Sequence, residues 1–202
     1  MDYDKILKLL EDEYCYAREN FIPIIRDESA KFLYDFVRRN KIKTVLEIGT
    51  AIGYSGNIIL SAGAERLVTV DINEKSLNVA MFAFEKTGYI DRVNVIKEDA
   101  MRVIVELVER GERFDMIFLD GPKGQYINYL PYLTKLIGRE GVIFADNVLL
   151  GGMVESNEKI PHRKRTMVNN LRKYLNIVNN EPYDTELFRI EDGVAITRYK
   201  GE

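Results

Sequence analysis

The chain has 202 residues, 46% apolar and 30% charged, with a net charge of −3. That is one domain's worth of sequence with enough apolar material for a sizeable core, and its overall charge gives no general affinity for nucleic acid. Apolar runs such as Val142–Ala145 and Met116–Leu119 are far too short for a bilayer span, and the acidic start Met1-Asp2-Tyr3-Asp4 does not read as a signal peptide. One cysteine, Cys15, leaves no internal disulfide, and one histidine, His162, leaves a zinc site or a histidine triad without its parts. The expectation is a cytoplasmic protein whose metal, if it has one, is held by oxygen.

Tyr3, Leu7, Leu10, Tyr14 and Ala17 recur at helical spacing and predict one opening amphipathic helix. After Pro23, a second helix runs through Ala30, Leu33, Tyr34 and Val37. These two form a helical extension over residues 1–40, within a single domain of 1–202. Strands and helices then alternate. Strands are expected at Thr44–Ile48, Arg66–Val70, Val93–Ile96, Phe114–Leu119 and Val142–Ala145. The intervening helices are Tyr54–Ala62, Glu74–Lys86 with Asn73 as cap, Met101–Glu109 stopped by Gly111, and Gly124–Ile137 with Pro131 as a kink. Pro161–Val178 is a helix with Val168, Leu171, Leu175 and Val178 as its apolar stripe. Strands near Thr185–Arg189 and Val194–Arg198 close the chain as a hairpin turning at Asp192-Gly193. This alternation predicts an α/β fold: an open, mostly parallel sheet with helices on both faces and an antiparallel terminal hairpin.

Glu47, Asp71, Asp99, Asp120 and Asp146 fall at or near the ends of five successive strands. Aspartate favours such places as a cap or turn residue, but five in succession favour a ligand edge. The first strand runs into Glu47-Ile48-Gly49-Thr50-Ala51-Ile52-Gly53-Tyr54-Ser55, with glycines spaced Gly-x-x-x-Gly rather than the Gly-x-Gly-x-x-Gly of dinucleotide enzymes. That looser turn suits S-adenosylmethionine (SAM), which has no phosphate and whose carboxylate needs only a few backbone donors. Asp71 is placed for ribose hydroxyls and Asp99 for the adenine edge. Asp120-Gly121-Pro122-Lys123 and Asp146-Asn147 follow the fourth and fifth strands. Two carboxylates and an amide oxygen make a hard set for Mg²⁺ or Mn²⁺ with positions left open. Such an ion favours deprotonation of a bound hydroxyl, and Lys123 beside it is a candidate general base.

In combination these motifs resemble the metal-dependent O-methyltransferases of the catechol and caffeoyl-CoA type, from about Phe21 onward. The resemblance implies the Rossmann-like class I methyltransferase sheet of seven strands, the last antiparallel. It implies Asp120, Asp146 and Asn147 as metal ligands, with Lys123 and Asp120 in catalysis. Glu47, Gly49, Thr50, Ser55, Asp71, Asp99, Ala100 and Asp120 are then the cofactor contacts. The chain departs from the catechol enzyme in having no tryptophan, so aromatic or aliphatic residues such as Tyr126 must serve near the metal loop and against adenine, or nothing does.

Lys159, Arg163, Lys164, Arg165, Arg172 and Lys173 make a basic stretch free of acidic residues in an otherwise acidic chain. It is either a solvated helix face, an oligomer contact or a dock for the RNA backbone. Pro161-His162-Arg163-Lys164-Arg165-Thr166-Met167-Val168 and Asp192-Gly193-Val194-Ala195-Ile196 resemble the bacterial tRNA 5-hydroxyuridine methyltransferases. That resemblance implies a tRNA anticodon loop as partner, with the wobble base methylated to 5-methoxyuridine. Its 5-hydroxyl and 4-carbonyl form a catechol-like chelating pair. Asn20–Arg26 is then the segment closing over the acceptor, with Arg26 among its contacts. The alternatives are a small-molecule catechol or phenol O-methyltransferase, an NAD-dependent oxidoreductase and a non-catalytic RNA-binding module. A homodimer contact on the wide apolar face of the first helix is a further expectation, and Cys15 reads as a small apolar residue rather than a nucleophile.

Overall fold

The computed structural model describes residues 1–201 and resolves the opening amphipathic segment into two helices rather than one. Asp2 accepts a hydrogen bond from the Lys5 amide at 2.9 Å and starts α1 (Tyr3–Leu9); the chain turns at Leu10 and resumes as α2 (Glu11–Glu19). The buried stripe is Ile6, Leu10, Glu13 and Ala17, while Tyr3, Leu7 and Tyr14 are half-buried. The face that suggested a dimer contact is therefore largely covered by its own unit. Glu13 is a buried carboxylate that the periodicity did not pick out. Lys86 meets it at 3.0 Å and so tethers α2 to α5 (Glu74–Thr87), removing the cost of an unpaired interior charge.

Contacts divide the chain into two units, Met1–Val103 and Ile104–Glu202. In the first, α3 (Asp27–Arg39) buries Ala30, Leu33, Tyr34 and Val37, as its spacing predicts. β2 (Arg66–Asp71) pairs in parallel with β1 (Thr44–Ile48) on one side and β3 (Val93–Lys97) on the other. Between β1 and β2 lies α4 (Tyr54–Ala62), buried along its whole length. Its polar side chains answer to backbone: Asn57 donates to the Gly53 carbonyl and Ser61 to that of Ile58, each at 2.8 Å. Asn73 caps α5 as expected, accepting from the Lys75 and Ser76 amides. α6 (Ala100–Glu109) follows β3.

In the second unit the strand order is β4-β5-β7-β6. β4 (Phe114–Leu119) and β5 (Ile137–Ala145) are parallel; β7 (Val194–Tyr199) runs antiparallel to both β5 and β6 (Tyr183–Phe188). The reversed strand is thus the last, as the family resemblance implied. α7 (Tyr126–Leu136) continues through Pro131, and α8 (Arg165–Val178) buries Val168, Leu171, Leu175 and Val178. Short 3₁₀ turns, Lys123–Gln125 and His162–Lys164, stand where the sequence reading began these helices. β5 begins earlier than expected, because residues 138–141 bulge out before Met116 pairs with Val142.

The terminal hairpin turns where expected. The Gly193 amide donates to the Ile190 carbonyl at 2.7 Å, with φ of 83° at Gly193. A Cβ on Gly193 would lie 2.4 Å from Leu149 Cγ, whereas Gly88, also left-handed at 77°, faces open space. Gly193→Ala is therefore expected to cost about 2–4 kcal/mol and Gly88→Ala about 1 kcal/mol in urea unfolding. Equal losses would show that backbone strain alone sets both values.

Candidate active site

In the first unit the turn after β1 is locked by backbone. The Gly49 and Thr50 amides donate to the Val70 carbonyl at 2.9 and 3.3 Å, and the Gly53 amide to that of Thr50 at 2.8 Å. Gly49, Ala51 and Gly53 all take positive φ, of 106°, 44° and 77°. Asp71 holds this turn: one carboxylate oxygen accepts from the Ala51 amide and the other from the Asn73 amide, both at 2.9 Å. No side chain caps α4 at Gly53. Its first turn consequently presents the uncapped positive end of a helix, which suits a carboxylate.

The cofactor-contact residues expected from sequence divide into two groups. Glu47 and Thr50 are buried, and Ser55 nearly so. The Glu47 carboxylate accepts from the Ser55 and Thr69 hydroxyls, each at 2.5 Å, and the Thr69 hydroxyl lies 2.6 Å from that of Thr50. In this arrangement Glu47 and Ser55 satisfy each other and brace the turn from beneath; they do not present their polar atoms outward. Gly56 is required by the same packing, since a Cβ there would come within 2.9 Å of Leu67 and Phe84 and 3.1 Å of Glu47 Oε2. Asp71 and Ala100 are half-buried and Asp99 is exposed. Asp99 caps α6, accepting from the Met101 amide at 2.9 Å and the Arg102 amide at 3.3 Å, which is the role the propensity of aspartate at strand ends anticipated. Sequence reading missed Asn57, whose side chain ties the Gly53 carbonyl to the Thr87 hydroxyl, 2.6 Å away. An asparagine inside the predicted helix α4, four residues after Gly53, was the available signal.

In the second unit, Asp120 follows β4 and Asp146 follows β5. Asp146 is fully buried, and neither of its carboxylate oxygens has a hydrogen-bond partner of ordinary geometry. Burial, then the neighbouring charge of Asp120, push its carboxyl up to about 7, against the pull of Lys123 and the Asn147 amide. The Lys123 ammonium donates to Asp120. It also lies 5.6 Å from the Tyr126 ring centroid. Asn147 adopts a left-handed φ of 56° directly after Asp146. The loop beyond is pinned to the hairpin: the Val148 and Leu149 amides donate to the Gly193 and Asp192 carbonyls at 3.0 and 2.8 Å, and the Gly151 amide to the Asp192 side chain at 3.0 Å.

Tyr126 is not a wall of this site, contrary to its expected service in place of tryptophan. It is wholly buried, and its hydroxyl donates to the Leu119 carbonyl at 2.7 Å, with the Asp146 carbonyl at 3.3 Å. Burial and the two aspartates hold its hydroxyl neutral. It joins the ends of β4 and β5 from below. Among the described residues no three His, Cys, Asp or Glu side chains gather as a metal cluster. The candidate set is two carboxylates with the amide of Asn147. Two lone oxygens on a buried aspartate, beside a second carboxylate, are the donor chemistry that a hard divalent cation completes.

Arg163, Lys164 and Arg165 are exposed at the start of α8, and none of them makes an ion pair among the described residues. Arg172 leaves this group. It donates to the carbonyls of Val154, Met153 and Ser156 at 2.8, 3.2 and 2.6 Å, clamping the preceding loop. Arg26, in the first unit, is exposed and precedes α3.

A glycine turn opening onto an uncapped helix in the first unit, and acidic side chains at strand ends in both units, are features of an α/β enzyme that takes a small polar ligand. Comparison makes the class specific: a sequence model of the O-methyltransferase family matches residues 2–200, and the chain belongs to that family. It is 30% identical over 191 residues to tapetum-specific methyltransferase 1 of Arabidopsis thaliana, covering 92% of this chain and 80% of that protein. It is 34% identical over 136 residues to a catechol O-methyltransferase of Mycobacterium tuberculosis, covering 65% of this chain and 60% of that one. A Staphylococcus aureus protein provisionally assigned as a caffeoyl-CoA O-methyltransferase superposes with a TM-score of 0.85 at 28% identity, covering 96% of this chain and 92% of the other. The oxidoreductase alternative falls with these findings. No helix of the described residues is long and apolar enough to cross a membrane.

Asp146→Asn removes the buried charge at nearly constant volume. Thermal melts are expected to show the variant about 1–2 kcal/mol more stable than wild type in chelator. Millimolar Mg²⁺ or Mn²⁺ is expected to raise the melting temperature of wild type but not of the variant. An equal metal-induced rise in both would remove Asp146 from the ligand set.

Proposed function

We propose that the chain transfers a methyl group from SAM to the 5-hydroxyl of 5-hydroxyuridine in a tRNA anticodon loop, with a divalent cation at Asp120, Asp146 and Asn147. The first unit supplies the donor half. The uncapped start of α4 takes the SAM carboxylate, Asp71 faces the ribose hydroxyls, and the segment Asp99-Ala100 meets the adenine. Glu47, Thr50 and Ser55 hold the turn that does this.

The second unit supplies the acceptor half. A divalent cation would be held by Asp120, Asp146 and Asn147, and would supply positive charge favouring the ionised form of the acceptor hydroxyl. Lys123 accepts the hydroxyl proton as a neutral amine, after its ammonium has released a proton to solvent and its bond to Asp120 is relieved. The oxygen then attacks the sulfonium methyl; the carbon–sulfur bond breaks as the carbon–oxygen bond forms, leaving S-adenosylhomocysteine and a methyl ether. Holding donor and acceptor in line provides most of the acceleration.

One observation carries the RNA acceptor. Arg163, Lys164 and Arg165 crowd the amino end of α8, which no side chain caps. Cations at that end oppose the helix dipole, so they do not serve the helix. They are exposed and make no ion pair among the described residues, and the sum of their charge with the dipole attracts phosphate. A small catechol acceptor fits the same metal chemistry and makes no use of this patch.

Replacing Arg163, Lys164 and Arg165 together by serine is expected to lower kcat/KM on hydroxyuridine-containing tRNA by about 100-fold or more, and to flatten its salt dependence, while leaving a small catechol substrate unaffected. Nucleoside mass spectrometry and a catechol assay read the two arms. Equal losses on both substrates, or no methoxyuridine formed by wild type, would favour the small-molecule reading. Separately, Lys123→Met is expected to lower kcat by about 100-fold or more with SAM affinity unchanged, measured by calorimetry; a drop in KM terms only would deny it the proton.

A further inference from the structure

The second unit carries a cavity at the opposite end of β4 and β5 from Asp120 and Asp146. Its volume is about 800 Å³, within the range of small-ligand sites. Arg113 stands immediately before β4, Arg139 on the bulge of β5, and Lys135 in the last turn of α7; Tyr183 opens β6 and Tyr199 closes β7. β4 alone, at roughly 3.3 Å per residue, puts some 20 Å between this cavity and the metal pair.

Three features make it more than a surface dent. It is lined by three cations and no acidic residue. None of the three makes an ion pair among the described residues: Arg113 donates to the Glu112 carbonyl at 2.9 Å, and Lys135 lies over the Tyr132 ring. Lys135 also complements the carboxyl end of α7, but Arg113 and Arg139 have no such employment. The bulge that presents Arg139 is a built feature. A Cβ on Gly141 would lie 2.8 Å from the Gly138 amide nitrogen and 2.9 Å from the Phe114 carbonyl, so the sequence there is fixed by the bend. The Tyr183 and Tyr199 rings, both half-buried, pack 5.4 Å apart and line the cavity with the cations.

We propose that this cavity is a second binding site, separate from the methyl-transfer site, for a nucleotide: Arg113, Lys135 and Arg139 take the phosphate, and the base stacks on the Tyr183–Tyr199 pair. Cations spaced around an aromatic platform recognise a phosphorylated π-system without regard to base identity. A free nucleotide and one nucleotide of a single RNA strand share this chemistry.

The test is calorimetric titration of the whole chain with uridine monophosphate in one arm and a single-stranded uridine pentanucleotide in the other. S-adenosylhomocysteine is kept saturating to fill the donor site, and chelator is present to keep phosphate off the metal site. Saturable binding in either arm is expected, weakened about tenfold or more by Arg139→Glu and by Lys135→Glu, and unchanged by Lys5→Glu on the exposed face of α1. Binding of the mononucleotide identifies a free nucleotide as ligand; binding of the pentanucleotide alone identifies an RNA strand. No saturable binding in either arm, or binding that neither charge reversal weakens in a variant with wild-type circular dichroism, overturns the proposal. Because methylation is not measured, the outcome does not depend on the acceptor proposed above.

Discussion

The buried carboxylate of Asp146 is the constraint around which the second unit is organised. A carboxylate with both oxygens unpartnered is costly anywhere in a protein interior. Here the surroundings are arranged to keep it in place: Tyr126 ties the end of β4 to the end of β5 beneath it, and the loop that follows is bonded to the terminal hairpin at Gly193 and Asp192. Asn147 in a left-handed conformation turns the chain away at once. Such expense at one residue, with rigid support on either side, is the signature of a site preorganised for charge rather than of a structural carboxylate.

Glu47 in the first unit makes the contrast. It too is a buried acid at a strand end, but both its oxygens are met by hydroxyls, and it supports the turn before α4 rather than waiting for a ligand. Two aspartates at strand ends also do structural work: Asp71 holds the glycine turn through the Ala51 amide, and Asp99 caps α6. The five acidic positions that look alike in sequence therefore hold three kinds of post. One is a buried strut, two are exposed or half-exposed residues that shape backbone at strand ends, and two, Asp120 and Asp146, are the neighbouring carboxylates at the ends of β4 and β5.

Charge on the surface divides in the same way. Arg172 sits in the basic stretch by sequence, yet its guanidinium is spent on three carbonyls, leaving Lys159, Arg163, Lys164, Arg165 and Lys173 without an ion pair among the described residues. Arg113, Lys135 and Arg139 are scattered through the sequence over 27 positions and drew no attention there. Strand β4, the end of α7 and the bulge of β5 bring them to one cavity beside two tyrosines from the terminal hairpin.

The sequence by itself determined the alternation of strands and helices, the strand boundaries of β1 and β4 to the residue, the Asn73 cap and the hairpin at Asp192-Gly193. All of these are set by local periodicity, by capping chemistry and by the few residues that tolerate positive φ. It also singled out Asp120, Lys123, Asp146 and Asn147, because strand ends are where such sheets place their chemistry. Only the tertiary structure decided which polar groups are partnered. The break at Leu10, the burial of Glu13 against Lys86, the inward turn of Glu47 and Tyr126, the loss of Arg172 to its carbonyls and the isolation of Asp146 all depend on atoms remote in sequence. Spacing along the chain carries no record of which donor meets which acceptor across it.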